Sequence, residues 1–106
     1  MAGGGELTPI PDWLERHTRH APPALRDRVT AYAAEAGGSS PDALASAGQR
    51  ALSQVLAHAG DRRVALDLLA ADGLITLALL AQAEHSPQQL RQFAASLLDA
   101  GVRAGD

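Results

Sequence analysis

Residues 64–83 carry large apolar side chains around almost the whole circumference of a helix, at about 100° per residue. Its three apolar sides carry Leu68, Ile75 and Leu79; Leu69 and Leu80; and Leu66 and Leu77. Such a helix has to be covered on several sides, by its own fold, by a partner or by lipid. Lipid is disfavoured, because Asp67 and Asp72 would each cost about 2.5–3.5 kcal/mol near a bilayer centre. We therefore expect the central helix of a soluble helical domain.

The composition of the whole chain also favours helix. Its 106 residues include 23 Ala and 16 Leu, but only ten Val, Ile and Thr together. Ala and Leu enter helices at little cost, whereas β-branched residues pack best in strands. A chain of this length is usually one domain. The prediction is an all-α fold: a single small bundle of four main helices plus a short N-terminal helix.

Prolines, glycines and capping residues divide the chain into helical segments. The predicted helices cover about residues 11–20, 24–36, 41–59, 64–83 and 87–100, and glycines at 37, 60 and 101 end three of them. The helical domain is expected to span residues 9–101. A disordered tail, residues 1–8, is expected before it, and a frayed tail, residues 102–106, after it.

Two of these helices begin with a recognisable start signal. Ser40 precedes Pro41 and Asp42, so its side chain is expected to accept a hydrogen bond from an unpaired amide of the first turn. Ser86 and Gln89 have the spacing of a capping box, in which each side chain bonds the other residue's backbone amide.

Three expectations concern the central helix, residues 64–83. Asp61 is expected to cap its N-terminus, and Arg63 to pair with Asp67 one turn further on. Gly73 lies inside it, where glycine costs roughly 0.5–1 kcal/mol relative to alanine. Either the helix breaks at Gly73, or it is continuous and another helix crosses closely there. The apolar spacing keeps its phase across the glycine, which favours a continuous helix with a close crossing.

The sequence contains little that could bind a metal ion. His17 and His20 are three residues apart, so they could share an ion on one helix face, but zinc needs at least a third protein ligand. His58 and His85 lie near predicted helix C-termini, where a protonated imidazole complements the helix dipole. Cysteine is absent. We expect no metal and no cofactor.

Catalysis and nucleic-acid binding also lack support in the sequence. Asp67 and Asp72 are five residues apart and lie far round the helix from each other, so they cannot form an acid–base pair unless the helix bends at Gly73. We find no nucleophile motif and no phosphate-binding glycine loop. The arginines between residues 16 and 28 are interspersed with acidic residues, and the net charge is −3. We expect a non-catalytic protein with no nucleic-acid partner.

One short stretch resembles a known enzyme family. Residues 69–74, Leu-Ala-Ala-Asp-Gly-Leu, followed by Ala78 and Leu79, are similar to a helix of the all-α polyprenyl synthases, which often reads Leu-Ala-Gly-Asp-x-Leu. The family's paired aspartate-rich magnesium motifs are absent from this sequence. No catalytic residue is therefore carried over from the resemblance.

Two functions remain open. The first is a helical module that binds another protein or associates with itself, most simply as a two-fold dimer, because the central helix is apolar on more sides than a small bundle easily covers. The second is a small-ligand-binding or enzyme-accessory domain with an apolar pocket. Only three aromatic residues are present, which favours close helix packing and hence the first function. The N-terminus lacks the pattern of a secretory signal, so a cytoplasmic location without membrane attachment is expected.

Overall fold

A computed structural model describes the chain from residue 12 to residue 105, and its side chains from residue 12 to residue 100. The helices are α1 (Asp12–His17), α2 (Pro23–Ala36), α3 (Pro41–Ala57), α4 (Val64–His85) and α5 (Leu90–Gly105), with a 3-10 turn at Pro87–Gln89 between the last two. No strand occurs between residues 12 and 105. The predicted all-α fold is confirmed. The tail predicted at residues 1–8 lies outside the described residues.

Helices α3 and α4 form the centre of the bundle and make its most extensive contact between two elements. Small residues line this contact, and Ala47, Ala51, Ala70 and Ala78 are completely buried. Alanines allow two helix backbones to approach closely, whereas larger side chains would keep them further apart. The sequence therefore builds this core from closely packed backbones, with Leu44 and Leu74 as its large buried side chains.

Helix α2 packs against both α3 and α4, and the short helix α1 adds one fully buried side chain, Leu14. Helix α1 ends at His17, three residues before the predicted end. The chain turns there through Thr18–His20 and meets Pro22, and a residue that precedes proline is disfavoured in helical conformation.

The predicted caps have mixed outcomes. The Ala43 amide donates to Ser40 Oγ at 3.1 Å, which confirms the cap of α3. Gly37 adopts a left-handed conformation, with φ of 107°, at the end of α2, as expected. The capping box at Ser86 and Gln89 is wrong, because the Ser86 side chain makes no capping hydrogen bond and the Gln89 amide donates to the Ser86 carbonyl at 3.1 Å. That bond closes the 3-10 turn.

The polar contacts predicted at the start of α4 are also wrong. Asp61 does not cap the helix: its Oδ1 accepts from the amide of Arg63, itself the N-cap residue, at 2.9 Å. The guanidinium of Arg63 pairs with Asp61 at 2.9 Å and not with Asp67. The physical reason is the direction of Asp67, which is turned into the fold and is only 8% exposed, whereas Arg63 lies on the surface.

Helix α4 runs unbroken through Gly73, as predicted, but the predicted close crossing there is wrong. A Cβ added to Gly73 would meet no atom within 4 Å outside its own helix turn. The glycine at the helix crossing is Gly48 of α3, which faces Ile75 of α4. Helix α5 likewise continues through Gly101 to Gly105, past its predicted end.

Candidate interaction surface

The other helices leave part of α4 uncovered. Leu68 and Leu69 are 51% and 56% exposed, and Leu80 is also exposed. Within the described chain, α4 is the one helix whose length and apolar composition would allow it to cross a membrane. The core helix of a soluble protein meets the same two criteria, so this is weak evidence for a membrane span.

An apolar groove of about 460 Å³ lies between α3, α4 and α5. We call it the α3–α5 groove. Its aliphatic walls include Leu52 of α3; Leu68, Ile75 and Leu79 of α4; and Leu97 and Leu98 of α5. Asp72 is the one charged residue in its lining, among the residues that the structure describes. The groove therefore offers aliphatic surface and very little polar recognition.

The groove exists because α5 packs only partly against the bundle. Phe93 and Leu97 contact the core but are only half-buried, and none of residues 90–100 is fully buried. Leu98 is 73% exposed, the highest value for a large apolar side chain within residues 12–100. Helix α5 is thus strongly amphipathic but does not bury its entire apolar face.

Two exposed charged residues lie on the helices that form the α4 and α5 walls of the groove. Asp72 lies on α4, one turn after Leu68, and is exposed. Arg91 lies on α5, one turn before Ala94 and two turns before Leu98, and is also exposed. Neither residue forms an ion pair among the described residues. Of the two, only Asp72 lines the groove.

A second apolar stripe follows α4 on its solvent side, away from the groove. Leu69, Gly73, Thr76 and Leu80 are separated by four, three and four residues, the spacing that places side chains in one line along a helix. Leu69 and Leu80 are exposed, and space around Gly73 is open. This stripe is a single line of side chains on one helix, whereas the groove is bordered by three helices.

A buried polar cluster joins α2 to α4. The Arg28 guanidinium donates to Asp67 Oδ1 at 2.6 Å, and the Tyr32 hydroxyl donates to the same oxygen at 2.9 Å. Burial raises the pKa of Tyr32 above its ordinary value of 10.0, and the hydrogen bond to Asp67 raises it further. The buried carboxylate of Asp67 thus accepts one charged and one neutral hydrogen bond, which explains how an aspartate is accommodated in the apolar helix α4.

The two aspartates considered in the sequence lie in different environments. Asp67 is buried in the polar cluster, whereas Asp72 is exposed beside the groove. They do not share a site, as their spacing predicts.

A wide cleft of about 960 Å³ lies at the other end of α5, where α1, α3 and α4 also meet. On its wall, the Trp13 indole donates to Glu84 Oε1 at 2.7 Å, and His17 Nε2 lies 4.0 Å from Glu84 Oε2. Trp13 and His17 of α1 thus both contact Glu84 of α4, and these contacts hold α1 against α4. Residues 12–100 contain no group of three or more side chains placed to hold a metal ion.

No protein-family model matches this chain, and neither the curated proteins nor the solved structures searched give a match. The resemblance to polyprenyl synthases thus stays limited to one short stretch of α4. The case for a function rests on the geometry of the chain itself.

The sequence did not predict the groove, the polar cluster or the crossing at Gly48. A signal for the cluster is present, since Arg28 and Tyr32 lie one turn apart on α2 and Asp67 interrupts an apolar helix. A buried acid and two hydrogen-bond donors on a neighbouring helix are expected to form hydrogen bonds with one another. No comparable signal exists for the groove, because it depends on the angle at which α5 packs.

Proposed function

We propose that this protein is a small non-catalytic helical module that acts by binding a protein chain, in the first place a second copy of itself. The observation that carries the proposal is the α3–α5 groove, a contiguous aliphatic surface left open to solvent. Larger exposed apolar patches mark interaction sites in soluble proteins, because leaving them in water is unfavourable.

The chemistry of the surface supports a protein partner. Aliphatic side chains recognise other aliphatic side chains by shape and burial, and the few polar groups around the groove offer little for a polar substrate. A cytoplasmic location and the absence of a nucleic-acid partner or membrane attachment remain part of this proposal. The net charge of −3 gives no general attraction to nucleic acid or to an anionic membrane.

The test is the mass of the protein in solution, measured by analytical ultracentrifugation over a wide range of concentrations. Self-association predicts a mass that rises from that of one chain, 11.0 kDa, to that of a dimer as concentration increases. A constant monomer mass up to high micromolar concentration would contradict the self-association proposal.

The second candidate is a small-ligand-binding or enzyme-accessory domain, and the volume of the groove favours it. About 460 Å³ lies within the range of roughly 300–1,000 Å³ that is typical of ligand pockets. The dye anilinonaphthalene sulfonate, an anion whose aromatic rings bind apolar pockets, serves as a probe. If the groove is a ligand pocket, the dye binds monomers in a one-to-one ratio and raises their melting temperature, whereas a self-association surface excludes the dye as the dimer forms.

A further inference from the structure

Helix α5 rests on the bundle along a narrow line, with open space on both sides of it. Phe93 and Leu97, four residues apart and therefore in one line along the helix, pack against the core and are half-buried. On one side of this line, Leu98 faces the α3–α5 groove of about 460 Å³. On the other side, Ser96 faces the wide cleft of about 960 Å³. A helix supported in this way has room to roll towards either side.

The N-terminal end of α5 is held in place, whereas its C-terminal half is not. The Ser86 amide donates to the Gln82 carbonyl at 2.8 Å, and Gln82 Nε2 donates to the Ser86 carbonyl at 3.1 Å. Gln82 is itself buried in the bundle. These two bonds fix the chain where α4 ends, and the 3-10 turn at Pro87–Gln89 leads from there into α5. Any displacement of α5 therefore increases with distance from this turn and is larger at Leu98 than at the start of the helix.

The chemistry of the two cavities favours one direction of movement. Leu98, Leu52 and Leu68 belong to the three helices that border the groove, and each is partly or largely exposed to water. When α5 approaches α3 and α4, this aliphatic surface leaves water, which is favourable in proportion to the area removed. The cleft on the other side carries polar groups such as Gln92 and Ser96, which stay hydrated when it widens. Movement towards the groove therefore gains apolar burial at little cost on the opposite side.

We propose that α5 is a lid for the α3–α5 groove: it rolls about the line of Phe93 and Leu97, and Leu98 enters the groove and closes it. The arrangement described above is the open form, and it exchanges with the closed form. The inference goes beyond the proposed function, because a closed groove withdraws the apolar surface from any partner. The movement takes place within one chain and does not depend on self-association.

Complete detachment of α5 is the competing movement. It would expose Phe93 and Leu97 to water as well, whereas rolling keeps both against the core. The two movements also change distances in opposite directions. Rolling towards the groove brings α5 closer to α3, and detachment takes it further away.

The first experiment measures the distance between α3 and α5 by double electron–electron resonance. The chain has no cysteine, so spin labels can be attached at Ser53→Cys and Ala95→Cys, which are exposed and lie outside the groove lining. An excess of unlabelled chain excludes distances between copies. We expect two distances, of which the shorter belongs to the closed form. The control pair, Ser53→Cys with Thr76→Cys on α4, should give one narrow distance, because α3 and α4 form the centre of the bundle.

The second experiment changes the balance between the two forms. Leu98→Ala removes apolar surface that is buried only when the groove closes, so the ratio of closed to open form should fall by about threefold to tenfold. Leu56→Ala is the matched control, because Leu56 is also exposed, at 53%, but does not line the groove. It should leave the ratio unchanged. Ammonium sulfate strengthens apolar burial and should shift the wild-type chain towards the shorter distance without any substitution at the groove.

Three results would overturn the inference. A single narrow distance between α3 and α5 that responds neither to Leu98→Ala nor to ammonium sulfate would show that α5 is fixed. A broad distribution that extends only to longer distances would show detachment instead of rolling. Two distances that respond equally to Leu98→Ala and Leu56→Ala would show that closure does not take place at the groove. None of these results bears on self-association, which the mass in solution tests separately.

Discussion

A Cβ atom added to Gly48 of α3 would lie 2.8 Å from Cδ1 and 3.0 Å from Cγ1 of Ile75 on α4. Two non-bonded carbon atoms do not lie this close together, so Ile75 or one of the helices would have to move. The two helices therefore approach as closely as they do because residue 48 has no side chain, and Ile75 occupies the space that a side chain would fill.

We predict that Gly48→Ala destabilises the protein despite the better helix propensity of alanine. Rotation about the second side-chain torsion could move Cδ1 of Ile75 away, but Cγ1 is held by the restricted first torsion of a β-branched residue, and the Ile75 backbone nitrogen also lies 3.4 Å from the added Cβ. Overpacking of this kind costs about 1–3 kcal/mol. The free energy of unfolding, measured with urea, should fall. An unchanged or higher value would show that Ile75 moves into the α3–α5 groove without cost.

The matched prediction is that Gly73→Ala stabilises the protein by about 0.5–1 kcal/mol. Gly73 has helical backbone conformation, and open space surrounds the position of its missing Cβ. Alanine is then favoured by helix propensity alone. Gly48→Ala and Gly73→Ala gain the same helix propensity. The difference between their free energies of unfolding, measured in the same urea titration, therefore gives the cost of adding a side chain at the crossing. A loss of stability in Gly73→Ala would show that an unseen contact occupies that side of α4.

Tyr32 should ionise at higher pH in the folded protein than in the unfolded chain. Burial and the hydrogen bond to Asp67 both favour its neutral form and raise its pKa. The pKa of Tyr32 is higher in the folded protein than in the unfolded chain. The stability that neutral Tyr32 contributes is therefore fully present below pH of about 10 and is lost as pH rises through the folded pKa. It is the only tyrosine in the chain, so tyrosinate absorbance reports it directly.

The control for this titration is the same measurement in denaturant, where the ordinary value should return. Tyr32→Phe should lower the free energy of unfolding by about 0.5–1.5 kcal/mol at neutral pH and make it less sensitive to alkaline pH. Identical tyrosinate titrations in the folded and unfolded chains would contradict the buried cluster of Arg28, Tyr32 and Asp67.

Ser40→Ala should cost about 0.5–2 kcal/mol of stability, whereas Ser86→Ala should cost almost nothing. Ser40 accepts a hydrogen bond from the first turn of α3, but the Ser86 side chain makes no such bond. Both serines precede proline, so each variant controls for the other. Thermal unfolding of the two proteins checks the difference. Equal losses would mean that Ser86 does cap a helix in solution.

The parts of the fold that could be predicted from the sequence depend on neighbouring residues. The cap at Ser40 and the left-handed Gly37 follow from interactions within a few residues, and both are correct. The class of the fold follows from the abundance of Ala and Leu and from the residues that start and end each helix, which are also local properties.

The predictions that failed depend on which residues of different helices face each other in the bundle. The one-turn spacing predicts a pair between Arg63 and Asp67, but the partner of Asp67 is Arg28, which is distant in sequence. The position of Gly73 inside the central helix predicts a close crossing there, yet the crossing uses Gly48 of the facing helix. Which side of α4 faces α3 is a tertiary property, and a helix that is apolar nearly all round gives no signal for it.

The candidate surface was predicted only in general terms. Excess apolar surface on α4 suggested that something covers it, and exposed Leu68 and Leu69 agree with an uncovered side. The groove itself could not be foreseen, because one of its walls is α5, and the partial packing of α5 follows from no pattern in its own sequence.

Helix α5 has consequences for the order in which this protein opens. It carries no fully buried side chain in residues 90–100, so its detachment exposes less apolar surface than the separation of α3 from α4. Elements with few buried contacts open at lower free energy, and their amides exchange with solvent sooner. Amide exchange should therefore be faster in α5 than at the α3–α4 contact. One wall of the groove belongs to this more labile helix, so whatever binds there also slows exchange in α5.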